Sequence, residues 1–435
     1  MKVLLKYFYL TLLLLLTFNL KAQENPDWIN SDISTYRQYM NLQWDSLIDE
    51  GNRYIEKGID YYYLQARLGV AYYAKQNYVK AIKHFNKALE FNPGDQFSIE
   101  YLYFANLYNG DDFEAKIYAD QLEPARKQEL GIKNRFIKGY SADVTYSFTP
   151  DKKISAVNNS AVSGVQQLPN NFTNANLTLK EMPGKRLKLV EGYTFLYKNS
   201  DYYEKTTSSS DFYSNYILQN QVFASAIYYP GNGWQIAAAY HPLWISIPYT
   251  TTAGNGQGRK SVTSYSTLSN YSFSGSVSKS FGNFNLGYTY TGSELNYFKQ
   301  QQHTFNLGIY PLGNLNLYLL SRFIVQNDET FPDTQSFVTG ETLGFKVNKH
   351  FWAEANLLAG NIRNMSDYGS YIIYNDVNPL KLKSGISLLF PLNSGKIISI
   401  RANYANGESN FSDATINNTV KYSSVSITGG ISWNL

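Results

Sequence analysis

The chain contains no cysteine among its 435 residues. Disulfides, thiolate metal sites, a cysteine nucleophile and a lipid anchor on an N-terminal cysteine are therefore excluded. After its first twenty residues the sequence also lacks any apolar run long enough for a spanning helix. The formal net charge is only +4 and no basic cluster is present, so we expect no nucleic acid among the partners.

Histidine is scarce as well, with four residues in the chain. We find no metal-ligand spacing and expect neither a metal nor a cofactor. His84 falls on a predicted helix and is expected to be exposed. Ser293 and Glu294 precede His303 near a predicted outer rim, where barrel hydrolases place serine and histidine. Because a triad depends on geometry that proximity in sequence does not provide, we expect no enzyme and no catalytic residue.

Aromatic residues are abundant instead, with 39 tyrosines and 25 phenylalanines. The last seventeen residues, 419–435, place their large apolar side chains at every second position, with small polar residues between them. Side chains of a strand point alternately to its two faces, so this segment is predicted to be a strand with one apolar face. Similar segments recur from residue 139 onward. The mean hydropathy of −0.35 suits a barrel that alternates apolar and polar residues.

Two kinds of connection separate these segments in strict alternation. The short connections contain Gly, Asn or Pro and are typical of tight hairpin turns. They are Pro183-Gly184, residues 230–233, Gly282-Asn283, Gly313-Asn314, Asn348-Lys349 and residues 393–395. The long polar connections are residues 150–170, 198–211, 249–263, 295–300, 327–334, 363–378 and 406–418. Six turns and seven loops predict fourteen strands, and counts of twelve or sixteen also fit.

The predicted barrel has an apolar exterior in several strands. Outward positions are Tyr140, Ala142, Val144, Tyr146 and Phe148 in the first strand, alternate residues from Phe284 to Tyr290 in the seventh, and Leu315, Leu317, Leu319, Phe323 and Val325 in the ninth. The opposite faces then place six charged side chains in the lumen. These are Asp143, Arg322, Lys346, Glu354, Lys383 and Arg401. Charges are costly against lipid and tolerated inside, which favours this register. They form either a polar pore or internal ion pairs that fill the barrel.

The N-terminus has the pattern of a secretory signal peptide over Met1–Ala22. Lys2 and Lys6 form the basic start, and a leucine-rich apolar segment follows. Export followed by barrel strands predicts the outer membrane of a Gram-negative bacterium. With both barrel ends in the periplasm, the segment before the barrel would lie in the periplasm too.

Residues 23–130 are predicted to be helical, and residues 131–138 to be a linker to the barrel at 139–435. The segment from Tyr62 to Asp95 carries a distinctive set of small and large residues. The set is Leu68, Gly69, Tyr72, Ala81, Phe85, Ala88 and Pro93. This pattern resembles the tetratricopeptide repeat (TPR), a pair of antiparallel helices, except that Gln65 stands where the family usually has Trp. The fold class is therefore α + β, with a short helical solenoid followed by a transmembrane antiparallel β-barrel.

By this resemblance, the first helices of the repeats would form a concave surface for a periplasmic protein partner. The groove positions would be Tyr63, Val70, Tyr73, Phe104 and Tyr108. Alternatively, these side chains only pack the stack against itself or the barrel rim.

The complete architecture resembles YaiO-like outer-membrane barrels that carry N-terminal repeats, and also exopolysaccharide exporters with a longer repeat scaffold. The resemblance implies a barrel in outer-membrane lipid whose repeat domain recruits or scaffolds a protein, with a role in export or surface assembly. The alternatives are a porin or exporter for a solute or polysaccharide and, with less support, a lipid hydrolase.

Overall fold

The computed structural model describes residues 28–435 apart from 134, 152–153, 155, 157–161, 254–259, 330–334, 377, 393–394, 412–417 and 435. The predicted signal peptide, Met1–Ala22, lies outside the described residues. The chain divides after Ala105 into two compact units. The second unit, which contains the barrel, begins at Asn106.

The N-terminal region is helical, as expected. Its described helices are α1 Trp28–Met40, α2 Trp44–Glu56, α3 Tyr62–Ala74, α4 Tyr78–Phe91, α5 Gln96–Tyr108, α6 Asp112–Gln121 and α7 Pro124–Glu129. None of the helices in the described ranges is both long and apolar enough to cross a membrane.

Helices α3 and α4 form the predicted TPR pair. Gly69 is small where they meet, because a Cβ atom there would lie 2.8 Å from the ring of Phe85. Leu68, Ala81 and Phe85 are completely buried. Asn77 caps α4 by accepting a hydrogen bond from the Lys80 amide at 3.1 Å. The residues predicted to hold the pair together do so.

Fourteen antiparallel strands close into a barrel, which confirms the predicted number. The wall consists of β1 Ile137–Phe148, β2 Gly164–Glu181, β3 Leu187–Lys205, β4 Ser210–Gly231, β5 Trp234–Ala253, β6 Lys260–Phe281, β7 Phe284–Leu295, β8 Phe298–Ile309, β9 Leu317–Asp328, β10 Ser336–Asn348, β11 Phe351–Ile362, β14 Leu380–Pro391, β15 Lys396–Asn410 and β16 Thr419–Asn434. Strands β12 Met365–Asp367 and β13 Ile372–Tyr374 form a separate small sheet. Consecutive wall strands are neighbours, and β1 pairs with β16 from Gly139↔Asn434 to Phe148↔Val425.

The outer surface of the wall is apolar and rich in aromatics, as predicted. Exposed residues on this surface include Tyr140, Val144, Tyr146, Tyr193, Trp234, Phe273, Phe284, Leu286, Phe323, Ile386 and Ile431. The buried alternate positions hold small polar residues, such as Ser272, Thr291 and Thr428. An apolar exterior around a polar interior is the arrangement of a transmembrane barrel.

The two ends of the barrel differ. We call the end at which the barrel starts and finishes, beside Gly139 and Asn434, the proximal end, and the opposite end the distal end. Four of the predicted long distal loops are wrong, and the one at 363–378 is described with the lumen. Residues 198–205 and 249–253 instead continue β3 and β5, which stay paired with β4 and β6 up to Lys205 and Ala253. The loop at 295–300 is a turn of two residues, Asn296 and Tyr297, both with positive φ.

Helix α6 packs at the proximal end, within the same unit as the barrel. The ring of Phe113 stacks on Tyr229 of β4. Lys185, in the turn before β3, lies 3.1 Å from a carboxylate oxygen of Asp120. Lys116 donates a hydrogen bond to the Gly184 carbonyl at 3.1 Å. A helix from the segment predicted as the helical domain, 23–130, therefore belongs to the barrel unit.

Candidate functional site

The connection between β11 and β14, residues 363–379, folds into the barrel lumen. We call it the lumen hairpin. Its strands β12 and β13 pair with each other, from Met365↔Tyr374 to Asp367↔Ile372. The prediction of an external loop over residues 363–378 is wrong, because this segment contains both apolar anchors and polar groups that find partners on the inner wall.

The apolar anchors lie on both strands of the lumen hairpin. Met365 is completely buried in a cluster with inward residues of β9, β10 and β11. On the other strand, Ile373 packs against a second cluster that contains Leu243, Ile245 and Leu295. Burial of these side chains gives the hairpin a defined position, since each loses most of its contact with water.

Polar side chains of the wall hold the turn of the hairpin. His241 donates through Nδ1 to the Ser370 carbonyl at 2.6 Å. The hydroxyl of Ser272 lies 2.8 Å from that of Ser366 and 2.9 Å from that of Ser370. Gln302 donates to the Ser366 carbonyl at 2.7 Å and accepts from the Ser366 amide at 3.2 Å. These bonds satisfy backbone groups that would otherwise be buried without partners.

Ion pairs also join the hairpin segment to the wall. Arg322 Nε lies 3.2 Å from Asp367 Oδ1, and the exposed fractions of the two side chains are 9% and 2%. Lys198 contacts Asp376 at 2.5 Å. Arg363, at the start of the segment, lies 3.5 Å from Asp328 of β9. Such contacts fix the position of the hairpin more than they add to stability, because desolvation offsets much of the attraction.

The structure places the six predicted lumen charges on the inner face, but their contacts are mostly not with one another. Arg322 pairs with Asp367. Lys383 lies 3.3 Å from the hydroxyl of Tyr374 in the hairpin. Glu354 accepts a hydrogen bond from Tyr318. The other three also point inward, in the proximal half of the barrel. Asp143 on β1 and Arg401 on β15 attract each other across β16. The amine of Lys346 lies 5.7 Å from the ring centroid of Trp352. The hairpin, absent from the prediction, thus supplies partners for two of the six.

The predicted TPR groove residues divide into two groups. Val70 is buried, and the ring of Tyr73 packs edge-on against Tyr78 and Tyr101. Phe104 is half-buried with its ring 4.8 Å from that of Tyr103. Tyr63 and Tyr108, in contrast, are 60% and 48% exposed. These two remain candidates for contact with a partner, whereas Val70 and Tyr73 pack the helices.

The candidate serine and histidine of the hydrolase alternative are not brought together. Ser293 is buried on the inner face and donates to Gln300 at 3.0 Å. His303 alternates with the inward Gln302 and contacts the hydroxyl of the outward Tyr288 at 2.7 Å. The two side chains point to opposite faces of the wall, so they form no catalytic pair.

His84 is buried in the TPR pair, so the expectation that it is exposed is wrong. Its Nδ1 donates to Gln65 Oε1 at 2.7 Å, and its ring stacks on Tyr72 at 5.1 Å. Gln65, which stands where the repeat family usually has tryptophan, is itself only 3% exposed. Burial, together with the charges of Lys83 and Lys80, lowers the pKa of His84 to about 4.

A cavity of about 690 Å³ lies between the hairpin turn and the inner wall formed by β4–β9. Its ceiling is formed by Tyr368, Gly369 and Tyr371. The wall side carries serine, threonine, asparagine and glutamine side chains beside apolar ones such as Phe223, Ile227 and Leu320. Sequence reasoning missed this site. The available signal was the serine at every second position of β6, from Ser272 to Ser280.

The closed barrel, with its apolar exterior and polar interior, and the helical unit before it define an outer-membrane barrel protein with a repeat domain. Residues 62–95 match the tetratricopeptide repeat family.

Comparison with solved structures finds other barrels. The toluene transporter TodX of P. putida has 8% identity and a TM-score of 0.44, with 70% of this chain and 92% of that chain covered. A FadL homologue of Pseudomonas aeruginosa has 7% identity and a TM-score of 0.40, with coverages of 68% and 90%. The translocator domain of the autotransporter NalP from Neisseria meningitidis has 11% identity and a TM-score of 0.31, with coverages of 76% and 100%. No curated protein matches the chain.

Proposed function

We propose that this protein is a gated outer-membrane channel in which the lumen hairpin blocks the route and moves to open it. The supporting observation is that β12 and β13 form a sheet of their own, separate from the wall. The hairpin can therefore leave the lumen without breaking the backbone ladder of the barrel. Its side-chain hydrogen bonds, each worth about 1 kcal/mol net, can be exchanged for bonds to water.

The proposal assigns the proximal end to the periplasm. Bacterial barrels have short periplasmic turns and longer external loops. The proximal connections include two-residue turns such as Asn232-Gly233 and Gly282-Asn283, whereas the connection that contains the lumen hairpin spans 363–379 at the distal end. The N-terminal helices would then lie on the periplasmic side.

A disulfide lock tests the gate directly, because the chain has no cysteine of its own. Ser272→Cys with Ser366→Cys joins the wall to the hairpin, where the two hydroxyls are 2.8 Å apart. Thr145→Cys with Thr428→Cys is a matched control, because it joins β1 to β16 across an equal separation of 2.8 Å and leaves the hairpin free. Single-channel conductance is measured in planar bilayers before and after reduction.

We expect the wild type to open intermittently and the oxidised hairpin lock to suppress openings at least tenfold. Reduction should restore them, and the control lock should change nothing. Deletion of residues 365–374 should give a constantly conducting barrel. The proposal is wrong if the deletion variant conducts no ions, or if the oxidised lock conducts like the wild type.

Recruitment of a periplasmic protein by the repeat unit is a second proposed function. It is supported by the match to the tetratricopeptide repeat and by the exposure of Tyr63 on α3, the first helix of the repeat. A photo-crosslinking residue at position 63 should capture one defined protein in intact cells. The same residue at Asn86, which is exposed on the second helix, should not. Equal labelling from both positions, or none from position 63, contradicts recruitment through this face.

A further inference from the structure

The inner wall beside the cavity combines small hydroxyl and amide side chains with apolar ones, among them Phe223, Ile227 and Leu320. On β6 every second residue from Ser272 to Ser280 is serine, and alternation turns these residues inward. The adjacent inward positions of β7 and β8 continue the pattern with Asn285, Thr289 and Asn306. Hydroxyl and amide groups both donate and accept hydrogen bonds, and their small size leaves the space open.

Charge contributes little to this surface. Among the described residues that line the cavity, Arg322 alone carries a charge. Asp367 neutralises it, since Arg322 Nε and Asp367 Oδ1 are 3.2 Å apart. An acidic polymer would be held by clustered Arg or Lys side chains, which this lining does not offer. A purely apolar ligand would contact the apolar part of this lining but would leave its hydroxyl groups without partners, at a cost in free energy.

The hairpin places an aromatic ring against this wall. Tyr368 is 50% exposed although it lies inside the barrel. The guanidinium of Arg322 lies 4.1 Å from the ring centroid on one side. The backbone of Tyr368 is left-handed, with a φ of 50°, and Gly369 and Ser370 have the same conformation. These three residues turn the chain at the cavity. An exposed ring facing a wall of hydroxyl groups combines a stacking surface with hydrogen-bonding partners.

We infer that the cavity under the lumen hairpin binds a neutral carbohydrate chain, with Tyr368 stacking on a sugar ring and the serine-rich face of β6 bonding its hydroxyl groups. A sugar presents apolar C–H faces and polar edges, which matches both parts of the site. The cavity of about 690 Å³ accommodates a few sugar units. The inference rests on the proposed channel, because it names the molecule that the channel would admit.

The test is equilibrium binding to the purified full chain in a detergent without a sugar headgroup. Maltohexaose is the neutral probe, hexagalacturonate the acidic one and toluene the apolar one. Tyr368→Ala should weaken maltohexaose binding about tenfold, as expected for the loss of one stacked ring, and Tyr368→Phe should preserve it. Tyr297→Ala is the matched control, because Tyr297 is also a tyrosine at positive φ but is 74% exposed in a distal turn.

Saturable binding of maltohexaose alone, lost in Tyr368→Ala and kept in the other two variants, supports the site. Preference for hexagalacturonate or toluene, no binding of maltohexaose, or an equal loss in Tyr297→Ala overturns it. Failure of this inference is distinguishable from failure of the channel. Without binding, the disulfide lock would still control conductance, whereas a barrel that never conducts could still bind maltohexaose.

Discussion

Acid should destabilise the TPR pair selectively, because His84 is buried in its neutral form. The folded state holds the pKa of His84 at about 4, below its ordinary value of 6.5. Above pH 6.5 both states hold a neutral imidazole, and the stability of the pair is fully present. Between pH 6.5 and 4 the unfolded chain binds a proton that the folded one excludes. The free energy of unfolding should therefore fall by up to about 3 kcal/mol, at about 1.4 kcal/mol per pH unit.

Urea titrations of the full chain, followed by helical circular dichroism from pH 8 to pH 4, measure this slope. His84→Gln should flatten the profile, since glutamine does not titrate. His350→Gln is the matched control because His350 is exposed in the turn between β10 and β11, and it should leave the slope unchanged. A wild-type profile that is flat, or that rises toward acid, would refute burial of a neutral His84.

Three further changes have expected outcomes. Gly69→Ala should lower the free energy of unfolding of the TPR pair by about 1–3 kcal/mol, because the new methyl group would lie 2.8 Å from the buried ring of Phe85. Gly94→Ala is the control in the same urea titration and should have little effect, because the space around Gly94 is open. Asp111→Ala removes the acceptor for two amides at the start of α6 and should cost about 1 kcal/mol, seen as faster hydrogen exchange in that helix. Asp367→Asn leaves Arg322 without its carboxylate, and channel openings in planar bilayers should become several times more frequent; unchanged opening would show that this ion pair does not hold the hairpin.

The barrel could be predicted because its signal is local and repeated. Alternation along a strand such as β16 reports which side chains face lipid, and Gly or Asn residues mark the proximal turns. Strand ends were harder to predict. The polar residues from Lys198 to Lys205 look like a loop in the sequence. In the structure they belong to β3, and their backbone stays paired with β4 beyond the lipid. Composition does not separate a polar strand in water from a polar loop.

The lumen hairpin could not be predicted, because its position depends on contacts between residues far apart in sequence. Ser366 meets Ser272 and Gln302, and Asp367 meets Arg322. Nothing in a short window around residue 366 indicates which wall residues it will face. The pairing of Gln65 with His84 is similar, since each residue looks unremarkable until the two helices bring them to 2.7 Å.

The unequal lengths of the wall strands give the barrel an uneven distal rim. Strands β2–β6 contain 18–22 residues, whereas β7–β11 contain 12 or 13. A membrane crossing uses only about 9–11 tilted residues, so the longest strands rise on the order of 25 Å above the lipid on one side. The four residues between β3 and β4 form the exposed tip of this raised part of the wall. An antibody epitope inserted at that tip would be displayed far from the bilayer while the transmembrane ladder below it remained intact.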